Sequence, residues 1–226
     1  DVEPREAEVI VRVIDGERGP VVVVSERAIV AMPRFVARRV VRPLRDRDDE
    51  GFTYGAWMVA NLHLDSRPTS AGYPLAWDNV LYDSPSLGYV VATHQSGRDH
   101  GPTVLTYYLP LLDEDPAAAR RRLLATAWEE WVDTILADLG RAHPGIGELV
   151  ENVDVYLWGH AMVRPRPGFL WSAALAASAR PLGRLRFAHT DLSGMALFEE
   201  AQHWGIRAAA SILEEEGRHV PPELRA

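Results

Sequence analysis

The chain contains no cysteine and no lysine; its 24 cationic side chains of the Lys/Arg class are all arginine. The first absence excludes disulfides, thiolate metal sites and cysteine nucleophiles, and the second excludes Schiff-base lysines and a P-loop lysine. No stretch approaches the ~18 uninterrupted apolar residues that span a bilayer, and the acidic start Asp1-Val2-Glu3-Pro4 is no signal peptide. A cytoplasmic location is therefore expected, and the lack of cysteine is compatible with a reducing compartment. A first residue of Asp rather than Met is expected of a fragment or a processed chain. Positive charge is also short: 32 acidic side chains leave a formal net charge of −8, so nucleic acid is not an expected partner. No Gly-x-Ser-x-Gly elbow is present, and His94, His100, His189 and His203 are scattered without a His-Glu-x-x-His or helical pair. Serine hydrolysis and a metal site thus find no support.

What remains is globular: 47% hydrophobic and 25% charged residues suit one large domain or two small ones. Residues 7–14 alternate, Asp15-Gly16 supplies a turn, and Pro20 opens a valine run, which together predict a β-hairpin with positive φ at the turn glycine. Residues 27–31 form a short unalternating strand, of the kind buried on both faces, stopped by Pro33. A charge-dense, Pro-interrupted stretch over 34–50 predicts a broken helix and an exposed loop. Strands fit residues 53–64, 79–82, 88–94 and 103–109, and their sum is an antiparallel sheet. Asp115-Pro116 starts a helix expected to run to about residue 141, burying Leu124, Trp128, Trp131, Ile135 and Leu139 on one face. A strand over 150–158 leads through Gly159-His160-Ala161 into a proline-stiffened loop. A last strand, 184–188, turns into a helix over about 196–215, whose small residues, Gly205 among them, would permit close backbone approach. Arg120-Arg121-Arg122 and Glu214-Glu215-Glu216 read as solvated helix ends.

The strand–turn–helix near the C-terminus carries most chemistry: Arg186-Phe187-Ala188-His189-Thr190-Asp191-Leu192-Ser193-Gly194-Met195, then Phe198-Glu199-Glu200-Ala201 and Gly205-Ile206-Arg207-Ala208-Ala209. A carboxylate, two hydroxyls and the free N–H groups of a helix N-terminus can together hold sugar hydroxyls and negative charge. The same residues also suit a plain corner in which Ser193 or Asp191 caps the helix. This segment resembles the C-terminal flavin-binding motif of the FAD-dependent amine oxidoreductases, a superfamily that includes protoporphyrinogen oxidases and phytoene desaturases. His189 stands where the motif usually has glycine, and Glu200 likewise. Arg27-Ala28-Ile29-Val30-Ala31-Met32-Pro33 is similar to the family's return strand, and Val155-Tyr156-Leu157-Trp158 with Pro165 and Gly168 to its Trp…Pro…Gly segment.

The resemblance implies noncovalent FAD, held by Pro33, Ala188, Thr190, Asp191, Met195, Ala196 and Phe198. Asp191 would meet the ribityl or phosphate portion, and N–H groups near Met195 and Ala196 the flavin N1/C2=O edge. Trp158 and His160 would be the catalytic candidates, His160 orienting substrate or accepting a proton, or else serving as a hydrogen-bonded structural histidine. The family's Gly-x-Gly-x-x-Gly fingerprint appears nowhere. The expected fold class is therefore mixed α/β: a substrate domain with an antiparallel or mixed sheet and helices, plus C-terminal pieces of a Rossmann-like FAD-binding domain. Residues 1–33 would be its meander and return strand, 34–182 the substrate-binding domain, 183–216 the final strand and helix, and 217–226 a tail. The partner would be a missing N-terminal Rossmann half, in cis or as another chain, besides a small-molecule substrate. The resemblance implies an oxidoreductase taking hydride from an amine or related substrate; the alternative is a non-catalytic subunit that completes a flavoprotein. By itself the chain is expected to bind FAD poorly.

Overall fold

The computed structural model describes residues 1–47, 51–70, 72–112 and 115–224. Along the chain come strands β1 (Val2–Pro4), β2 (Val9–Asp15), β3 (Gly19–Ser25) and β4 (Ala28–Val30), helix α1 (Arg34–Val40), and β5 (Tyr54–Leu64). These are followed by β6 (Asp78–Asn79), β7 (Gly88–Val91), β8 (Thr103–Leu111), α2 (Pro116–Ala125), α3 (Trp128–Leu139) and β9 (Val150–Val163). The short helix α4 (Ala173–Ser178), β10 (Leu185–Phe187) and α5 (Phe198–Glu215) complete the order. The fold is mixed α/β, as expected. Among the described residues no helix is long and apolar enough to cross a membrane.

Two compact units divide at Tyr54 and at Val163: unit 1 is Asp1–Thr53 with Val163–Ala226, and unit 2 is Tyr54–Met162. The expected boundaries after residues 33 and 182 lie elsewhere. The reason is packing: Ala37, Val41 and Leu44 from the segment after Pro33 share one apolar core with Val2, Val9, Val30, Leu185, Phe187 and Leu192. The end of the charge-dense stretch, residues 48–50, lies outside the described residues.

In unit 1 the predicted hairpin is present, with β2 antiparallel to β3 from Val9↔Ser25 to Asp15↔Gly19, and β1 on its other edge. The positive φ falls on Gly19 (+74°) rather than on Gly16, because Asp15 Oδ1 accepts the N–H groups of Glu17 and Arg18 and closes the turn through its side chain. β4 and β10 form a parallel pair, Ala28↔Leu185 to Val30↔Phe187. The strand over 27–31 is not buried on both faces: Val30 is 3% exposed and Ile29 42%. A two-stranded sheet has too little width to cover both faces of each strand.

Helix α5 lies against β10, fastened by Arg186, which is buried. Its guanidinium donates to Ser211 Oγ at 3.1 Å, to the Gly183 and Leu185 carbonyls, and to Glu215. Arg27 Nη1 reaches the other Glu215 oxygen at 2.6 Å and Arg27 Nε lies 3.4 Å from Glu216, so this acidic helix end is an ion-pair staple, not a purely solvated terminus. The expected close approach at Gly205 is absent, since a Cβ there would meet nothing within 4 Å. Hydrogen bonding by Arg186 holds the Glu215 carboxyl below its usual range. A group whose folded pKa is depressed contributes stability above its unfolded pKa of about 4.3 and loses it as pH falls through the folded value. Thermal unfolding from neutral pH into that acid range is expected to show a falling midpoint for the wild type, and a flatter dependence for Glu215→Gln. Equal slopes would contradict the staple.

Unit 2 is built on one sheet in the order β6-β7-β8-β5-β9. β5 pairs antiparallel with β8, Ala56↔Leu111 to Leu64↔Thr103, and β7 antiparallel with β8 and β6. Alternation along β5 and β8 sends Ala56, Met58, Ala60, Leu62, Leu105, Tyr107 and Leu109 into the core, under Ala119 and Leu123 of α2 and Trp131, Ile135 and Leu139 of α3. The single helix expected over 116–141 is two helices. Asp115 caps α2 as read from the sequence, accepting from the N–H groups of Ala117 and Ala118. Thr126 and Ala127 are extended, and Thr126 Oγ1 donates back to the Arg122 carbonyl at 2.8 Å. This break resets the helical phase, leaving Leu124 (68%) and Trp128 (49%) exposed where burial was expected. β9 is also longer than anticipated, running through Trp158 and His160 to Val163.

Candidate functional site

The C-terminal turn begins where β10 ends. Ala188 N–H still donates to the Val30 carbonyl at 3.1 Å, extending the parallel pairing by one residue. His189 is extended, and Thr190–Leu192 form a 3-10 turn. His189 Nδ1 accepts from Asp191 N–H at 3.2 Å, which gives the imidazole a place as the turn's cap. Gly194 follows with φ of +68°, and a Cβ there would lie 2.8 Å from Leu170 Cδ2 and 3.0 Å from Phe169 Cε1. The left-handed backbone therefore calls for glycine, and a methyl group would press on the Leu170 and Phe169 side chains.

Asp191 is 2% exposed, and its Oδ2 accepts the Arg34 N–H at 2.7 Å. Arg34 is the first residue of α1, and Pro33 before it offers no side-chain cap, so the acid supplies the acceptor that the α1 terminus lacks. Pro33 and Asp191, far apart in sequence, are thus brought together. The capping expected of Asp191 is found, but on α1 rather than α5. Ser193 is tied to the first turn of α5 instead: it donates to Glu200 and accepts from Trp204 Nε1 at 2.6 Å. Among the described residues no side chain caps α5 itself, whose N-cap residue is Leu197. Around that terminus Met195 (39%), Leu197 (52%) and Phe198 (78%) present apolar side chains to solvent.

Trp158 and His160 lie in unit 2, on β9. Trp158 is more than half exposed, and the His160 ring stands edge-on to Tyr54 with centroids 5.8 Å apart. The face of the sheet turned away from the core carries Trp57, Val59, Asn61 and His63 of β5 beside Val104, Thr106, Tyr108 and Pro110 of β8. Thr106 Oγ1 donates to Asn61 Oδ1 at 2.8 Å. His63 Nε2 lies 2.9 Å from Asp154 Oδ2, and Asn152 donates to Oδ1 at 3.0 Å. The hydrogen bond to His63, and then that from Asn152, hold the Asp154 carboxyl below its usual range. Sequence reading passed over this polar row. Its one signal was Asn61 and His63 at alternate positions of an otherwise apolar strand.

No family model matches the sequence, and no curated protein matches it. Solved structures do. Putrescine oxidase with bound putrescine is similar at a TM-score of 0.67 and 21% identity, over 94% of this chain and 47% of that one. Cyclohexylamine oxidase from Brevibacterium oxydans IH-35A gives 0.62 and 19%, over 96% and 48%. The fold is that of the C-terminal portion of FAD amine oxidases. The chain spans about half the length of these matched structures, and at such identities the likeness to the amine oxidases is one of fold.

Proposed function

We propose that this chain is the C-terminal part of an FAD-dependent oxidoreductase acting on an amine or a related substrate. Unit 1 contributes the meander, return strand, final strand and helix of the FAD-binding domain, and unit 2 forms the substrate-binding domain. A Rossmann half, in cis or on a partner chain, completes the cofactor site. The observation that carries this reading is the turn after β10: parallel pairing with β4, a left-handed glycine at 194, and an 18-residue helix whose first N–H groups have no side-chain cap among the described residues.

These residues fit a flavin through backbone and apolar surface. The uncapped α5 terminus favours negative charge, and Met195, Leu197 and Phe198 offer exposed apolar area beside it. Asp191 acts through Arg34 N–H, so in this reading it positions Pro33 and α1. The cofactor, held noncovalently in a chain without cysteine, supplies the acceptance of hydride at N5. Trp158 confines the substrate, while His160 orients it or holds a proton near the donor amine.

The test uses the complete protein, mixed anaerobically with a panel of primary and secondary amines while the visible flavin absorbance is followed. Bleaching by at least one amine is expected, and none by alcohols or thiols. His160→Gln is expected to slow reduction by about 10–100-fold with flavin content retained. A full-length protein that carries flavin but is reduced by no amine would overturn the enzymatic reading in favour of an assembly subunit.

A further inference from the structure

Independently of the flavin reading, unit 2 contains a cleft of about 670 Å3 on which Arg67, His94 and Arg98 converge. Its volume lies in the range of small-molecule sites, about 300–1,000 Å3. The guanidinium of Arg67 is fixed in place: Nη2 donates to Thr93 Oγ1 at 3.1 Å and to the Arg98 carbonyl at 2.9 Å. Thr93 Oγ1 is in turn 2.7 Å from Thr103 Oγ1, at the first position of β8, so the anchor is built on the sheet. Arg67 Nε is buried and has no acceptor among the described residues. Among the described residues no carboxylate lies within ion-pair distance of Arg67 or Arg98; Asp99, paired with His100, acts on Arg67 only at longer range. A half-buried, rigidly held guanidinium with no directly paired carboxylate stabilises an anion that enters the cleft.

The rest of the lining narrows the class. Leu75 and Val91 form an apolar wall, which suits a ligand with a hydrocarbon body. Asp99 also lines the cleft, with its carboxylate turned to solvent 3.1 Å from His100 Nδ1. A negative charge at the rim penalises a dianion more than a monoanion. We propose that this cleft binds small organic monoanions, with a carboxylate against the Arg67 and Arg98 guanidinium groups and an apolar body against Leu75 and Val91.

Titration calorimetry of the 226-residue chain with hexanoate, hexylamine and inorganic phosphate tests this. Hexanoate is expected to bind saturably, hexylamine not at all, and phosphate at least tenfold more weakly than hexanoate. Arg67→Met is expected to weaken hexanoate at least tenfold. Arg98→Ala keeps the backbone carbonyl that orients Arg67, and is expected to weaken hexanoate about threefold to tenfold. Should Arg67→Met lose the wild-type melting transition, Arg98→Ala decides alone. Unchanged hexanoate affinity in a folded variant, equal binding of hexylamine, or phosphate as tight as hexanoate would each overturn the proposal.

Discussion

Replacing Asp138 by Ala is expected to cost unit 2 about 3–5 kcal/mol, enough to remove much of a small domain's stability. Asp138 is 8% exposed on α3, and its Oδ2 accepts from Ser84 Oγ at 2.6 Å, Ser86 Oγ at 2.8 Å and Tyr107 Oη at 2.9 Å. Its other oxygen is 3.4 Å from Arg141, whose guanidinium also holds the carbonyls of Tyr82 and Asp83. One carboxylate therefore joins α3 to β8 and to the loop before β7. Truncation takes the shared acceptor from the buried hydroxyls of Ser86 and Tyr107 and from the half-buried Ser84, which can still pair with Ser86 at 2.8 Å, and each unsatisfied buried donor costs about 1–3 kcal/mol. Burial, followed by smaller effects that include Asp138 itself, pushes the Tyr107 phenol well above its ordinary range, so it stays a donor. Asp138→Asn keeps one acceptor oxygen and is expected to lose about 1–2 kcal/mol. Urea unfolding measures both, and an alanine variant within 1 kcal/mol of the wild type would refute the hub.

Gly88→Ala is expected to be comparably severe, at about 3 kcal/mol or more. Gly88 has φ of +86°, and a Cβ would sit 1.9 Å from the Asn79 carbonyl oxygen and 3.0 Å from Val80 Cα. Those are backbone atoms, so no rotamer relieves the clash; β6 must move away from β7. Hydrogen exchange should then accelerate at Asn79 and Tyr89, which face each other across this pair, while amides of β5 opposite β8 stay protected. Protection unchanged at Asn79 and Tyr89 would show that the strand pair tolerates the methyl group.

Much of unit 1 was legible in the sequence because its signals are local. Alternation about Asp15 marked the hairpin, and Pro33 and the Phe187–Asp191 run marked where strands end. The helix break at Thr126 was not legible, since neither Thr126 nor Ala127 is a breaker and the apolar spacing continues across them. The role of Asp191 was half visible. An acid in a strand-to-helix turn reads as a cap, but which helix it caps is a tertiary fact, fixed by the parallel pairing of β4 with β10. Asp138 gave no warning, because its partners Ser84, Ser86 and Tyr107 are scattered along the chain and no spacing rule links them. The same holds for Arg67, whose anchor Thr93 is a whole loop away.

The parallel pair also sets an order of events for the chain. Its two strands lie on opposite sides of the whole inserted unit in sequence, and the two crossings are stitched together where Arg164 N–H meets the Thr53 carbonyl at 2.8 Å. Until the insert has condensed, closing so long a loop carries a conformational-entropy cost that three residues of pairing do little to offset. The turn after β10 is thus assembled from segments on both sides of the insert, and its geometry depends on the collapse of the residues between them.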